Sequence, residues 1–285
     1  MQYIIQLICG FILVASITAC QSINVTESHF LNPDKAITQS LLDKSGRQLQ
    51  LSQIHIKASD GIQLGGVLIT QKNAKFTLIY FGGNEFRINT NGADVATTLS
   101  QFDNNLLIVD HRGYGMSQGS PNIETLKQDA ESVYDFVKSQ PELSQLPIIV
   151  HGLSLGSMIA GNLSNQRPLD GLVLEGSLTT VKDMIDKQIP WYATPFIDFQ
   201  LNDKLANINN LVCVANYTEP LLVIVGENDN TTPKALSEAL FAQSKSTNKQ
   251  LYIVPNKGHG NAMLSPDFSK HYQAFIHSIL YKQAK

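Results

Sequence analysis

The chain has 285 residues, of which 43% are hydrophobic and 16% are charged, and its formal net charge is −3. This length suits one large α/β domain or two small ones and is ample for a sizeable buried core. A weakly acidic chain without a dense run of Lys and Arg argues against a nucleic-acid-binding surface. The composition is that of an ordinary globular protein.

The first twenty residues differ from the rest of the chain. Residues 4–19 are almost wholly apolar and carry no charge. This run is short for a membrane span, which needs about 20 residues, but it suits the core of a signal peptide. It ends in Ile17-Thr18-Ala19-Cys20, which resembles the lipobox of bacterial lipoproteins. The resemblance implies cleavage before Cys20 and a diacylglyceryl group on its thiol. A plain secretory signal and an uncleaved anchor remain alternatives.

The lipobox resemblance also predicts a location. It implies an exported chain that is attached to a membrane of the bacterial cell envelope through its lipidated Cys20. Gln21 follows the cysteine, and this resembles lipoproteins that are passed to the outer membrane. Outside the signal segment and Cys20, Cys213 is the remaining cysteine of the sequence, so it has no partner for an intrachain disulfide after processing.

The predicted elements begin with a polar lead-in and a hairpin. Residues 20–48 are predicted to be a lipidated cysteine followed by a tether and a short irregular or helical lead-in. Residues 51–56 and 62–70 have the pattern of two strands on either side of the Asp60-Gly61 turn signal. Residues 49–285 are therefore predicted to form the folded domain.

Short apolar runs then alternate with helical patterns. This alternation predicts a doubly wound, mostly parallel sheet that is buried on both faces and preceded by an antiparallel hairpin. Pro121 is predicted at the first position of one helix. The candidate strands are residues 76–81, 105–109, 147–150, 171–174, 221–225 and 250–254.

Residues 177–220 break this alternation, since no strand is predicted there before residue 221. A long insertion that is rich in Pro and aromatic residues is a candidate lid. Trp191, Tyr192, Phe196 and Phe199 suggest a pocket for an apolar acyl or aryl group. Alternatively, these side chains simply pack the insertion onto the sheet.

The most informative motif is residues 152–156, which read G-x-S-x-G between an apolar run and a helix-compatible stretch. A strand, a tight turn and a helix are the context in which this motif presents its serine, here Ser154, as a nucleophile. The hydroxyl needs a base, and the base needs an acid to orient it. His259 and Asp229 each follow a predicted strand, so both should lie at the edge of the sheet that carries Ser154. Glu227 is the alternative acid, but Asp229 lies further past its strand end.

The tetrahedral intermediate of an acyl transfer needs two N–H donors for its oxyanion. One is predicted to be the backbone N–H of Leu155, directly after the nucleophile. The other is predicted on the loop after residues 76–81, where Gly82 and Gly83 precede Asn84. The N–H of Asn84 is the expected donor, and that of Gly83 is the second choice.

These motifs, together with the D-x-R-G-x-G-x-S pattern of residues 110–117, resemble the serine α/β-hydrolases. The chain is similar to the monoacylglycerol-lipase-like and "HGN" subgroups, and the resemblance spans roughly residues 50–285. Gly82 stands where those subgroups have the histidine of His-Gly-Asn. The resemblance implies that residues 110–117 shape a loop, so Asp110, His111 and Ser117 are not expected to be catalytic.

The sequence therefore predicts a membrane-anchored serine hydrolase of the carboxylesterase or lipase-like kind. It would cleave a small-molecule ester through an acyl-enzyme, and this mechanism needs no metal or organic cofactor. A serine peptidase or thioesterase of the same fold is an alternative, since the fold does not fix the substrate. A non-catalytic envelope lipoprotein is another.

Overall fold

A computed structural model describes residues 21–33, 50–190, 192 and 196–281. The predicted signal peptide of residues 1–19, the predicted lipidation site Cys20, residues 34–48 of the predicted tether and Trp191 lie outside the described residues. Among the described residues, no helix combines the length and apolarity that crossing a membrane requires.

An eight-stranded sheet forms the centre of the domain, with the strand order β10-β9-β7-β6-β4-β5-β3-β2. The hairpin pair β2–β3 and the pair β3–β5 are antiparallel, and the other neighbouring pairs are parallel. The predicted fold class is thus confirmed. The strands are β1 Gln21–Val25, β2 Gln50–Lys57, β3 Gln63–Thr70, β4 Phe76–Phe81, β5 Asn104–Val109, β6 Ile148–Leu153, β7 Gly171–Glu175, β8 Ile197–Leu201, β9 Leu221–Gly226 and β10 Lys249–Val254.

Helices cover both faces of this sheet. Every residue of β4, β5 and β9 is buried, because these strands lie between two helical layers. One apolar cluster includes side chains of α3 and α5, and a second cluster on the opposite face includes those of α2 and α10. The helices are α1 Glu27–Phe30, α2 Ile88–Leu99, α3 Ile123–Ser139, α4 Pro141–Ser144, α5 Leu155–Leu163, α6 Val181–Gln188, α7 Asp203–Ala206, α8 Asn210–Asn216, α9 Lys234–Gln243 and α10 Phe268–Leu280.

The helix predicted to begin at Pro121 begins two residues later. Asn122 has an extended backbone and caps α3, since its side chain accepts a hydrogen bond from the backbone N–H of Thr125 at 2.9 Å. The hydroxyl of Thr125 in turn accepts from the N–H of Asn122 at 3.0 Å. This reciprocal capping satisfies N–H groups that the first helical turn leaves without intrahelical partners, so the cap residue sets the helix start.

Two predictions about the chain outside the main sheet need correction. The insertion contains a strand, β8, and the segment predicted to begin a tether contains β1, which pairs with β8 in parallel. Ile23 lies opposite Phe199, and both side chains pack against the same core cluster. β8 alternates apolar and polar residues, a strand pattern that the sequence analysis missed, and the pairing joins two segments that lie far apart in sequence. We call residues 21–33 the N-terminal strap.

Candidate active site

Ser154 lies at the sharp turn between β6 and α5. Its backbone has φ +53° and ψ −112°, a conformation that L residues adopt rarely. A Cβ atom at Gly156 would lie 2.0 Å from the carbonyl oxygen of Phe81, and one at Gly152 would lie 2.2 Å from the carbonyl oxygen of Gly156. The two glycines therefore allow the helix to approach β4 closely enough for the turn to form.

The structure brings Ser154, His259 and Asp229 together from three separate loops. The Ser154 Oγ atom is 2.9 Å from Nε2 of His259, and Nδ1 of the same ring is 2.9 Å from Oδ2 of Asp229. Asp229 follows β9 and His259 follows β10, its parallel neighbour, so the sheet places both loops at the carboxyl edge with Ser154. The spacing is that of a nucleophile, a base and an orienting acid.

Asp229 is the acidic residue that contacts the imidazole. It is 4% exposed, and its Oδ1 atom accepts hydrogen bonds from the N–H groups of Thr231 and Thr232 at 2.9 and 2.8 Å. The exposed Glu227 instead accepts from the N–H of Asn256 at 3.2 Å. Two backbone N–H groups and the His259 ring thus hold the Asp229 carboxylate in place, and Glu227 takes no part in this arrangement.

Thr232 is a site residue that the sequence analysis missed. Its buried hydroxyl donates to Oδ2 of Asp229 at 2.9 Å and lies 3.2 Å from Nδ1 of His259. The signal was the threonine three residues after Asp229, directly before Pro233, which is the N-cap of α9. There it can reach back to the loop that it follows.

A loop after β4, residues 82–84, lies beside Ser154. A Cβ atom at Gly83 would be 3.5 Å from Cβ of Ser154. Within the described part of the chain, the backbone N–H groups of Gly83, Asn84 and Leu155 make no hydrogen bond. The N–H groups of Asn84 and Leu155, the two predicted oxyanion donors, are thus available to a ligand. We call residues 82–84 the oxyanion loop.

His111 supports the oxyanion loop from the D-x-R-G-x-G-x-S motif. Its Nε2 atom lies 2.8 Å from the carbonyl oxygen of Gly82, which also accepts from the N–H of Gly156 at 3.1 Å. Burial lowers the pKa of His111 to about 4, so the ring is neutral near pH 7. Because its partner is a carbonyl, Nε2 must carry the proton. A histidine from a different loop thus supports the carbonyl of Gly82.

Asp110, the first residue of this motif, holds its loop in place through hydrogen bonds. Its two carboxylate oxygens accept hydrogen bonds from the N–H groups of Ile88 and Met116, both at 2.9 Å. Burial raises the pKa of Asp110 to about 6. The hydroxyl of Ser117 donates to the Asp110 carbonyl at 2.6 Å. These contacts join the start of α2 to the loop after β5, and none reaches Ser154.

A buried pair lies beneath the serine turn. His151 in β6 and Glu175 in the neighbouring β7 are joined at 3.0 Å between Nε2 and Oε2, and the hydroxyl of Tyr272 lies 3.3 Å from Nδ1 of His151. The backbone carbonyl of Glu175 accepts from the N–H of Ser154 at 2.9 Å. The pair therefore joins β6, which leads into the serine turn, to the neighbouring strand β7.

Sequence comparisons relate the chain to hydrolases. Residues 89–209 match the family model described as Serine aminopeptidase, S33. The matched range includes Ser154 but ends before Asp229 and His259. Protein bem46 of Schizosaccharomyces pombe is 26% identical over 230 residues, which cover 77% of this chain and 74% of the relative. The lysophosphatidylserine lipase ABHD12 of Danio rerio is 29% identical over 196 residues, covering 60% of this chain and 48% of the lipase.

Solved structures show the same architecture. The esterase Pf2001 of Pyrococcus furiosus superposes with a TM-score of 0.70 at 17% identity, covering 90% of this chain and 98% of the esterase. At that identity the likeness bears on the fold alone. The fold is that of the α/β-hydrolases, and the sequence similarities support membership of that superfamily and a hydrolase activity.

Proposed function

We propose that this chain, which has the α/β-hydrolase fold, is a serine hydrolase that cleaves carboxylic esters through an acyl-enzyme. The observation that carries the proposal is the continuous contact from Ser154 through His259 to Asp229, with 2.9 Å at each step. A serine held at positive φ at the head of a helix, with a base and an acid in line, has the geometry of an activated nucleophile.

The proposed reaction begins at the Ser154 hydroxyl. His259, with its own proton on Nδ1 and Asp229 as its acceptor, takes the Ser154 proton at Nε2 while Oγ attacks the acyl carbon. The imidazolium that forms is stabilised by the buried Asp229 carboxylate. His259 then donates this proton to the leaving alcohol, and the acyl group remains on Oγ. Water, deprotonated by the same ring, then attacks the acyl carbon. The bond to Oγ breaks, the carboxylic acid leaves, and His259 returns the proton to Oγ.

The negative oxygen of each tetrahedral intermediate would bind to the N–H groups of Asn84 and Leu155. Within the described residues neither group is engaged, so neither has to break a hydrogen bond in order to donate. Removal of one such donor costs a serine hydrolase about 10²–10³ in kcat.

Lipid esters are the first candidates for the substrate. The similarity to a lysophosphatidylserine lipase supports including them in a substrate panel. Phe199 packs against the core, whereas Phe196 and Tyr192 are exposed. The exposed pair supports an apolar surface on the insertion, which we propose to be a lid.

The lipobox-like segment supports export and attachment to the envelope through Cys20.

A peptidase is the second candidate, because the matching family model is described as a serine aminopeptidase. Short-chain p-nitrophenyl esters, acyl-CoA thioesters and aminoacyl amides, offered to the same preparation, separate the three reactions. We expect kcat/KM to be highest for the esters. A preference for the aminoacyl amides would replace the ester proposal with the peptidase.

Labelling with a fluorophosphonate tests the serine nucleophile directly. We expect the folded protein to be labelled and the Ser154→Ala variant not to be labelled. Circular dichroism of both proteins ensures that the comparison is between folded chains. A folded wild type that stays unlabelled, or equal labelling of the variant, would contradict the proposal.

A further inference from the structure

Asn84 has the predicted oxyanion N–H in its backbone, and its side chain is held by a segment far away in sequence. Its Oδ1 atom accepts a hydrogen bond from the backbone N–H of Asn32 at 3.0 Å, and its Nδ2 atom donates to the carbonyl of Phe30. Both partners belong to the N-terminal strap. The side-chain amide is therefore bound to two backbone groups of one short segment, which fixes its orientation.

Tyr114 completes this contact from the D-x-R-G-x-G-x-S motif. Its hydroxyl donates to Oδ1 of Asn84 at 2.6 Å and accepts from the N–H of Asn32 at 2.9 Å. The residue is fully buried, and burial raises its pKa, so the hydroxyl keeps its proton near neutral pH. Asn32, Asn84 and Tyr114 thus form a closed triangle of hydrogen bonds.

Arg87 joins the carbonyl groups of the same two segments. Its guanidinium donates to the carbonyl of Asn84 at 3.3 Å and to the carbonyl of Asn32 at 2.9 Å. It also lies over the ring of Tyr114, 4.5 Å from its centroid, where a cation is attracted by the aromatic face. The oxyanion loop and the N-terminal strap are therefore connected through both side-chain and backbone atoms.

The N-terminal strap is itself fixed at two other places. Its strand β1 pairs with β8 of the insertion, and Glu27 accepts a hydrogen bond from the N–H of Ile123 at 2.7 Å at the start of α3. Lys204 of α7 lies 3.4 Å from the same carboxylate. The segment that contacts Asn84 is thus braced against both the insertion and the main domain.

From this network we infer that the backbone N–H of Asn32, together with the hydroxyl of Tyr114, positions the oxyanion loop, so that the N-terminal strap is required for full catalytic rate. The inference rests on the proposed function, since it assigns a role relative to the oxyanion donors. These donors act on charge that develops only in the transition state, so their displacement lowers kcat and leaves KM largely unchanged. Displacement of a positioned group by about 1 Å can cost as much as a hundredfold in rate.

The test compares two substitutions at Asn32 in the full chain. Asn32→Pro removes the N–H that donates to Asn84 and Tyr114, whereas Asn32→Ala keeps it and removes an exposed side chain. Leu31 has φ −88° and ψ +127°, the extended backbone that a following proline requires. We expect kcat for a p-nitrophenyl ester to fall roughly tenfold to a hundredfold in Asn32→Pro, with KM within about twofold of wild type, and Asn32→Ala to behave as wild type.

Tyr114→Phe is the second variant, because it removes the shared hydroxyl and keeps the buried ring. We expect a similar loss of kcat in this variant. In the double variant, kcat should fall by less than the product of the two separate losses, since both substitutions act through Asn84. Binding of a boronic acid, which imitates the tetrahedral intermediate, should weaken in parallel with kcat/KM. A merely structural role would lower the melting temperature without this parallel loss.

The outcomes separate the two levels of the argument. If Ser154→Ala is inactive while Asn32→Pro and Tyr114→Phe keep wild-type kcat, the positioning role is wrong and the proposed function stands. If Ser154→Ala keeps wild-type activity, the proposed function is wrong and the positioning role falls with it. Should Asn32→Pro fail to fold, Tyr114→Phe alone decides: an unchanged kcat and an unchanged boronic acid affinity overturn the inference.

Discussion

At the residue scale, Asp229 and Glu227 lie two positions apart on one loop, and their surroundings differ sharply. Asp229 is buried and contacts His259 at 2.9 Å, whereas Glu227 is exposed and contacts the N–H of Asn256. A carboxylate that orients a catalytic imidazole keeps the reactive nitrogen in the right tautomer and stabilises the imidazolium. The loop therefore offers a matched pair of substitutions.

We expect Asp229→Asn to lower kcat by about 10³–10⁴, because the amide favours the wrong imidazole tautomer. Glu227→Gln should keep kcat within about twofold of wild type, since its side chain takes no part in the contacts of His259. Steady-state hydrolysis of a p-nitrophenyl ester measures both. A large loss in Glu227→Gln together with an active Asp229→Asn would reverse the assignment of the acid.

His111 gives a prediction about pH and stability. Its pKa falls from 6.5 to about 4 on folding because burial disfavours the charged ring. The stability from the neutral ring is present above pH 6.5 and is lost as the pH falls towards 4. At about 1.4 kcal/mol for each pH unit, the free energy of unfolding loses roughly 3 kcal/mol from this group over this pH range.

The His111→Gln variant keeps an Nε2 donor for the carbonyl of Gly82 but does not titrate. We expect its free energy of unfolding to rise relative to wild type by roughly 2–3 kcal/mol between pH 7 and pH 4.5. Burial raises the pKa of Asp110 to about 6, so this carboxyl contributes more to the stability of the fold as the pH falls. Asp110 is present in both proteins, so its contribution cancels in the comparison. Urea unfolding at the two pH values measures the difference, and a difference independent of pH would show that the ring does not titrate as described.

At the scale of the elements, Gly156 allows α5 to pack directly against the end of β4. A Cβ atom at Gly156 would lie 2.0 Å from the carbonyl oxygen of Phe81, which is a backbone atom and cannot rotate away. The helix would have to move off the strand, and the Ser154 turn would move with it. The glycine is thus required by packing at this position.

We expect Gly156→Ala to lower the free energy of unfolding by roughly 2–3 kcal/mol through overpacking. Gly258→Ala is the control, because a Cβ atom there would meet its nearest neighbour, the carbonyl oxygen of Asn228, at an ordinary 3.7 Å. Its stability should change by less than about 1 kcal/mol. Urea titration followed by circular dichroism compares the two, and an unchanged midpoint for Gly156→Ala would mean that the helix can shift freely.

The elements also explain which features the sequence could predict. The strands of the parallel sheet are nearly continuous apolar runs, so their places along the chain and the loops that follow them could be predicted from local pattern. The pairing of β1 with β8 could not, since each is five residues long and the partners are 176 positions apart in register. Likewise, the contacts of Thr232, Tyr114 and Asn32 depend on which loops the fold brings together.

At the scale of the whole molecule, the N-terminal strap connects the predicted anchor to the predicted active site. It begins one residue after Cys20, and its residues Phe30 and Asn32 contact the oxyanion loop. If the lipobox is processed, the membrane attachment point lies directly before β1. The segment nearest to the membrane would then also be the segment that holds the oxyanion loop.

We expect the mature chain, isolated from the membranes of a bacterial host that processes lipoproteins, to begin at Cys20 with a diacylglyceryl group on the thiol. Intact-mass measurement and sequencing of the N-terminal peptide establish both features. The Cys20→Ala variant should lack the modification and retain its esterase activity. A mature chain that begins elsewhere, or that carries Cys20 without lipid, would contradict the predicted anchoring.

Trapping of the acyl-enzyme tests whether Ser154 is the nucleophile. The wild-type protein is mixed with an excess of a short-chain p-nitrophenyl ester, quenched in acid during turnover, digested and analysed by mass spectrometry. We predict an acyl group on the peptide that contains Ser154, and no acyl group on this peptide in the Ser154→Ala variant. Turnover of the ester without acylation of Ser154, or acylation of a different residue that accounts for turnover, would show that Ser154 is not the nucleophile.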